Sequence, residues 1–333
     1  MTRALVVPRP GDLHVARAAD DGPLRHGEAR VRVAHVGICG SDHELLAGTR
    51  DPAFVRYPVV PGHEWSGTVV ELGPGTDPRL LHRPVVGEGF RYCGECSACR
   101  RGETNLCLAG YDETGFTRPG ACADELRLPA RLLHVLPDDA DLRAAALIEP
   151  AACMAAAVRR AAPEPGERVA VVGGGTLGLL ATQLLAAVSP AILLVVDPRP
   201  RPAAGPSGAT EVATPEEAAR RRGGFDLVLE TAGARGTGRL AVTLARRGGR
   251  VVLAGLNGGV DDPIPPAELV AAAVSVHTVF GAPSRAWSDA VAALADGRLR
   301  PLPLISDEFV LEDAPRVLGP DAVLPVGKVL LHP

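Results

Sequence analysis

The chain has 333 residues, which favours two domains at roughly 100 to 200 residues each. Hydrophobic residues make up 46% of it and aromatics only 3%, so any core must be assembled from Val, Leu, Ala and Ile. With 35 basic and 39 acidic residues the formal net charge is -4, which argues against nucleic acid as a partner, and no apolar run approaches the roughly 18 residues that span a bilayer.

The first residues, from Met1 to Val7, hold too short an apolar stretch for a signal peptide and read as a first β-strand of a cytoplasmic protein. Residues 1–149 carry short Val-rich runs broken by Gly and Pro, such as Ala29 to Ala34 and Gly67 to Leu72. The first of these alternates apolar and polar residues, as a half-buried strand does. This part predicts a mostly antiparallel β domain. Residues 150–285 alternate strand and helix. Strands are expected at Val169–Gly173, Ile192–Asp197, Phe225–Glu230, Arg250–Ala254 and Val274–Phe280. Helices are expected at Thr176–Ala187, Pro215–Arg222 and Thr237–Arg247. Such alternation builds an α/β fold with a doubly wound parallel sheet. Residues 286–333 open with a helix over Trp287–Ala295 and continue with strand-like pieces at Glu308–Leu311 and Gly327–Leu331, which suit a return to the first domain. The stretch from Pro198 to Pro206 holds four prolines and predicts an irregular loop.

Seven cysteines in a reducing compartment point away from disulfides. Four of them, Cys93, Cys96, Cys99 and Cys107, fall within fifteen residues. Four thiolates close a tetrahedron around a structural zinc and leave no open position for chemistry. A bacterial iron–sulfur cluster has three residues before its last cysteine and a proline after it; here the gap is seven and Leu108 follows.

The run Val169 to Gly178 is a buried strand leading into G-x-G-x-x-G and then a helix. Gly173 permits the tight turn, Gly175 lets the backbone approach a pyrophosphate, and Gly178 lets helix and strand pack closely. Thr176 and Leu177 start the helix whose free N–H groups face the phosphates. Asp197 ends the next strand, 19 residues beyond Gly178, where its carboxylate can accept from both ribose hydroxyls and repel a 2′-phosphate. That favours NAD over NADP. Arg199 and Arg201 follow it, as solvated charges or as a source of NADP tolerance.

Three separated pieces offer a second metal site: Gly37 to Asp42, Pro61 to Glu64, and Leu147 to Pro150. Cys39, His63 and Glu149 would leave a fourth position open, as catalytic zinc requires. Taken singly, Cys39 also reads as a small buried hydrophobe, His63 as a hydrogen-bonded turn residue and Glu149 as a cap.

In their order along the chain, the Gly-Ile-Cys-Gly-Ser-Asp, Pro-Gly-His-Glu, four-cysteine, Glu-Pro and glycine-fingerprint segments resemble the zinc-dependent medium-chain dehydrogenase/reductases. This is the alcohol dehydrogenase-like group, in its sorbitol- and threonine-dehydrogenase-like branch. The resemblance runs from the first strand to Gly327, Lys328 and Val329. It implies a GroES-like catalytic domain over 1–149, with a zinc lobe at 92–108. It implies a Rossmann domain over 150–285, and a return to the catalytic domain over 286–333. It also implies two zinc ions per chain, with Cys39, His63 and Glu149 on the catalytic ion, Glu64 beside it and able to exchange with Glu149, and Asp42 orienting His63. Ser41 would pass the substrate proton towards solvent, although Glu44 stands where many relatives have a His, and His43 comes one residue early. The implied activity is oxidation of a secondary alcohol, with a polyol, cyclitol or amino alcohol as substrate in the cleft. The alternatives are a reductase run on a ketone or aldehyde with NAD(P)H and, from another class, a non-catalytic nucleotide-binding scaffold. A narrower similarity, at Pro58 to Gly67 and Gly115 to Ala123, is to the aminocyclitol dehydrogenases of aminoglycoside antibiotic pathways. Relatives of this kind form dimers or tetramers, so a homo-oligomer is expected.

Overall fold

The computed structural model describes residues 2–17, 22–199, 201–256, 263–319, 322 and 327–333. The chain divides into two compact units. One comprises Met1–Glu149, Pro283–Ala295 and Pro301–Pro333; the other comprises Pro150–Ala282 and Asp296–Arg300.

The first unit is built on a seven-stranded sheet. Its order is Ile305–Val310, Lys328–His332, Glu28–Gly37, Glu64–Leu72, Pro84–Gly87 and Leu133–Val135, with Glu125–Pro129 also paired to Glu28–Gly37. All its pairings are antiparallel except that of Ile305–Val310 with Lys328–His332. Strand Glu28–Gly37 follows the expected alternation. Ala29, Val31 and Val33 are buried, and Arg30 and Arg32 stand between them. Val31 lies opposite Val69 and Val36 opposite Trp65, and these pack with Val85, Leu126, Leu128 and Leu331 into one core. Each such side chain contributes about 1.5–3 kcal/mol by leaving water. The register shifts between Val33 and His35, an irregularity that bends the strand end leading into Cys39. The tail strands lie one residue or more from their expected limits, at Ile305–Val310 and Lys328–His332. The helix expected over Trp287–Ala295 starts earlier, at Ser284.

The second unit carries a six-stranded sheet whose neighbours are all parallel. Its order is Glu211–Ala213, Ile192–Val196, Arg168–Val172, Phe225–Glu230, Ala245–Leu253 and Ser275–Thr278. Counted within this unit, that order is 3-2-1-4-5-6, the doubly wound arrangement. It reverses beside Arg168–Val172, so a crevice opens past Val172 and Glu230. Val169 to Val172 are almost wholly buried, as a strand covered on both faces must be.

One helix is shorter than its pattern suggests. It covers Thr237–Leu244, and Ala245 already pairs with Phe225. The ladder resumes at Arg250, and the exposed Arg246, Arg247 and Gly248 bulge between the two pairings. Helical geometry ends at Ala245, and Gly248, at φ +69°, supplies the left-handed backbone of the bulge. The stretch from Pro198 to Pro206 forms turns rather than a helix, with Pro200 outside the described residues.

Candidate metal centres and cofactor pocket

The four clustered cysteines converge. Their sulfurs all lie within 4.8 Å of one another. Backbone N–H groups are aimed at these sulfurs: Cys96 N and Glu95 N donate to Cys93 Sγ at 3.4 Å, Cys99 N and Leu108 N to Cys96 Sγ at 3.5 and 3.4 Å, and Cys93 N to Cys107 Sγ at 3.3 Å. Those donors favour thiolate, and they pull Cys96 down to about 6. Gly94 and Gly102 take the left-handed backbone, at φ +79° and +82°, that lets so short a segment turn back on itself.

The second group is Cys39, His63 and Glu64, whose ligand atoms also lie within 4.8 Å of one another. Cys39 is the N-cap of helix Gly40–Ala47. Asp42 closes a capping box, its Oδ2 accepting from Cys39 N at 2.9 Å. His63 is buried, and its Nδ1 faces Asp42 Oδ1 at 3.5 Å. Burial opposes a charged His63 ring, but the Asp42 carboxylate outweighs it and holds the imidazole well above its usual range. Ser41 Oγ donates to Cys39 Sγ at 3.3 Å. His43 is half-buried, and its Nε2 has no hydrogen-bond partner among the described residues.

Glu149, the carboxylate expected on the metal, is not in this set. It sits half-buried in the first turn of helix Ile148–Ala161, and Glu64 takes the third position. The reason is steric and electrostatic. Glu64 lies opposite Gly37 in the sheet, and a Cβ on Gly37 would overlap Glu64 Oε2. Lys328 then fixes the carboxylate, with Nζ 2.8 Å from Oε1 and 2.6 Å from Oε2, both side chains almost fully buried. Lys328 also donates to Ile38 O at 2.9 Å. The sequence marked Lys328 only as the end of a resemblance, and nothing near it in the chain announces its partner 264 residues away.

The stretch from Gly115 to Ala123 has a structural part that its sequence did not reveal. It cradles the Pro61 to His63 turn. Gly120 N donates to Val60 O at 2.7 Å and Ala121 N to Gly62 O at 2.8 Å. A Cβ on Gly120 would overlap Pro61 O, and one on Gly62 would come within 2.8 Å of Cys122 N. Arg118 is exposed and pairs with Asp112 at 2.9 Å, and Cys122 is core. Next to His63, the Phe116 ring centroid stands 4.8 Å away, with the Arg50 guanidinium over that ring, 3.8 Å from its centroid. Arg50 donates to Tyr111 at 2.8 Å and lies 3.6 Å from buried Glu113, which also accepts from Tyr111. Sequence reading found no signal for this cluster.

In the second unit a cavity of about 670 Å³ opens at the sheet's switch point. Gly173, Gly175, Asp197, Arg199 and Thr231 are among its lining residues. Gly173 has φ +105°, and a Cβ on Gly178 would overlap the Gly173 carbonyl. Thr176 and Leu177 open helix Thr176–Ala186, and its N-cap, Gly175, offers no side chain, so the first N–H groups are left for an anion. Asp197 follows strand Ile192–Val196 directly; its Oδ2 accepts from Gly174 N and its Oδ1 from Arg199 N, each at 2.9 Å.

Comparison with known proteins agrees with this geometry. Residues 25–138 match the alcohol dehydrogenase GroES-like domain, and residues 176–296 match the zinc-binding dehydrogenase family. A protein named 2-dehydro-3-deoxy-L-galactonate 5-dehydrogenase, from Pseudoalteromonas atlantica, is 31% identical over 302 residues, which is 86% of each chain. Sorbitol dehydrogenase of Bacillus subtilis is 28% identical over 303 residues, 87% of this chain and 85% of its own. A solved Sinorhizobium meliloti structure, described as a zinc-binding dehydrogenase bound to NADP, has a TM-score of 0.91 at 28% identity. It covers 100% of this chain and 99% of its own. The GroES-like and Rossmann folds thus stand together with two convergent ligand sets, and the chain belongs to the zinc-binding, alcohol dehydrogenase-like family of oxidoreductases.

Proposed function

We propose that this dehydrogenase oxidises a secondary hydroxyl of a polar substrate, a polyol, sugar acid, cyclitol or amino alcohol, to the ketone. The observation that carries the reading is the convergence of half-buried Cys39 with buried His63 and a buried carboxylate, separate from the four-cysteine set. The donor chemistry fits zinc in both places: four sulfurs in one, and sulfur, nitrogen and oxygen in the other. Cys93, Cys96, Cys99 and Cys107 would hold the structural ion. Cys39, His63 and Glu64 would hold the catalytic one, with Glu149 as the alternative carboxylate. Zinc bound there supplies a Lewis acid that lowers the pKa of a substrate hydroxyl, and a nicotinamide dinucleotide supplies the hydride acceptor.

The chain's own groups do the rest. Asp42 holds the His63 ring through Nδ1, which leaves Nε2 for the ligand bond. Ser41 Oγ, already on the Cys39 sulfur, takes the substrate proton and releases it to solvent. Lys328 keeps the buried Glu64 charge balanced. Gly173, Gly175 and the start of helix Thr176–Ala186 receive the pyrophosphate, with Asp197 and Arg199 at the adenosine ribose. Among the described residues no helix is long and apolar enough to cross a membrane, and we place the enzyme in the cytoplasm, as a homo-oligomer.

The substrate class is tested by following cofactor reduction with sugar acids, hexitols, aminocyclitols and threonine, each with NAD and with NADP. Turnover confined to simple alkyl alcohols refutes it, and preference for aminocyclitols would support a place in antibiotic biosynthesis. Elemental analysis should find about two zinc ions per chain. Cys39→Ser should lose one of them together with turnover, and an active variant with both ions would overturn the assignment.

A further inference from the structure

We infer that Lys328 is a positioning residue of the catalytic centre: it shares the Glu64 carboxylate with the metal, keeps that acid a weak ligand and so leaves one position open for the substrate hydroxyl. This rests on the catalytic-zinc reading above.

The need for such a residue comes from counting ligands. Cys39, His63 and Glu64 converge, and Glu149 is a second carboxylate whose charge acts on the same lysine. Four protein ligands close a zinc site, as four cysteines do, whereas a catalytic site leaves one position to water or substrate. A full negative charge on Glu64, buried without a counter-ion, would be driven onto any bound cation. A cation of the protein on the same carboxylate opposes that.

Lys328 is placed to do this. Its Nζ lies 2.8 Å from Oε1 and 2.6 Å from Oε2 of Glu64, and both side chains are almost fully buried. Only Oε1 accepts a hydrogen bond; Oε2 is buried and has no hydrogen-bond partner among the described residues. The amine is also held from the other side. It donates to Ile38 O at 2.9 Å, and Ile38 N donates to Val329 O at 3.0 Å, so Lys328 is tied to the residue that precedes Cys39. Burial opposes a charged amine, but Glu64, Cys39 and Glu149 outweigh it and hold Lys328 above its usual range. The residue type matters as well. Lys328 is the single lysine of the chain, and the other 34 of its 35 basic side chains are arginine. A guanidinium would grip both carboxylate oxygens in its planar fork. An ammonium is a compact point charge that can hold one oxygen and leave lone pairs on the other.

The test uses the zinc-loaded enzyme and the enzyme with cobalt at the catalytic site, whose visible absorption reports a ligand entering the open position. Imidazole is the probe. Loss of an ordinary orienting partner weakens metal binding by about 10–100-fold, so the direction of the change is diagnostic. Lys328→Met should instead give up its catalytic zinc to a chelator about tenfold more slowly than the parent, and need about tenfold more imidazole for the same cobalt response. Adding Glu64→Gln should return most of the parent's imidazole affinity. Lys328→Gln, which keeps a donor for Ile38 O, carries the same measurements if the methionine variant does not fold. Zinc release as fast as the parent's, or faster, overturns the role of Lys328, as does an unchanged imidazole response or a double variant no better than the single one. A parent whose cobalt absorption ignores imidazole overturns the catalytic-zinc reading itself, and this inference with it.

Discussion

Replacing Lys328 by Met should destabilise the first unit by about 3–5 kcal/mol in zinc-free protein. That is the range seen when one partner of a buried ion pair is removed. The side chains of Lys328 and Glu64 are 6% and 1% exposed, so solvent cannot take over the missing charge. Methionine fills much of the same volume and leaves little cavity, so the loss reports the charge and the hydrogen bond to Ile38 O. The zinc-free form is the correct one to measure, because a bound ion would itself neutralise Glu64. The chain has two tryptophans, Trp65 and Trp287, and both belong to the first unit. Their fluorescence therefore follows unfolding of the unit that holds the pair. At a urea dependence of about 1–3 kcal/mol per molar, the midpoint should fall by about 1 M or more. Adding Glu64→Gln to Lys328→Met removes the stranded charge and should recover much of the loss. A single variant within about 1 kcal/mol of the parent would refute the reasoning. So would a double variant no more stable than Lys328→Met.

Three further outcomes follow from the same geometry. Gly178→Val places a side chain on the Gly173 carbonyl and against Thr231 Oγ1; it should abolish nucleotide binding by calorimetry, and an unchanged Kd would contradict the close-packing role. Cys96→Ser should leave one zinc per chain and expose the 92–108 lobe to limited proteolysis, whereas resistance equal to the parent's would mean that the lobe does not depend on its ion. Burial pushes Glu113 up from 4.5 to about 7. Between those values the folded state holds a proton that the unfolded chain has lost. Stability of the zinc-free protein should therefore fall as pH rises through this window, by up to about 3 kcal/mol at about 1.4 kcal/mol per pH unit. Glu113→Gln should flatten the slope of urea midpoint against pH between 5 and 8; an unaltered slope would show that Glu113 is ionised throughout.

Sequence reading succeeded where the chemistry is local. Cys93 to Cys107 are close neighbours along the chain, so their spacing alone brings four sulfurs together. The glycine fingerprint is equally local: a buried strand, a turn and a helix start within ten residues, with the acid one strand later. The catalytic group was legible in its cysteine and histidine, while of its two candidate carboxylates it is Glu64, read as standing beside Glu149, that converges with them. Both Glu64 and Glu149 are acids beside a motif, and only the sheet register distinguishes them here, by setting Glu64 against Gly37. Lys328 was opaque for a related reason. It is an ordinary cation in sequence, and its significance comes from a partner brought to it by folding.

The glycines around the metal group show how much of that folding is steric. Gly37 makes room for the Glu64 carboxylate, Gly62 lets the turn before His63 pass Cys122, and Gly115 and Gly120 let a second loop close over that turn. None of the four touches a reacting atom, yet each vacates the space that a ligand side chain or its backbone occupies. The His63 turn and the Gly115 to Ala123 loop are thus shaped by one another, through the hydrogen bonds and close glycine contacts that hold His63 in place. Beyond the Phe116 ring, Arg50, Tyr111 and Glu113 form a further cluster whose groups already satisfy one another: Arg50 donates to Tyr111, and Tyr111 donates to the buried Glu113. With its donors and acceptors used internally, that cluster braces the ring beside His63 and so belongs to the same supporting frame as the glycines.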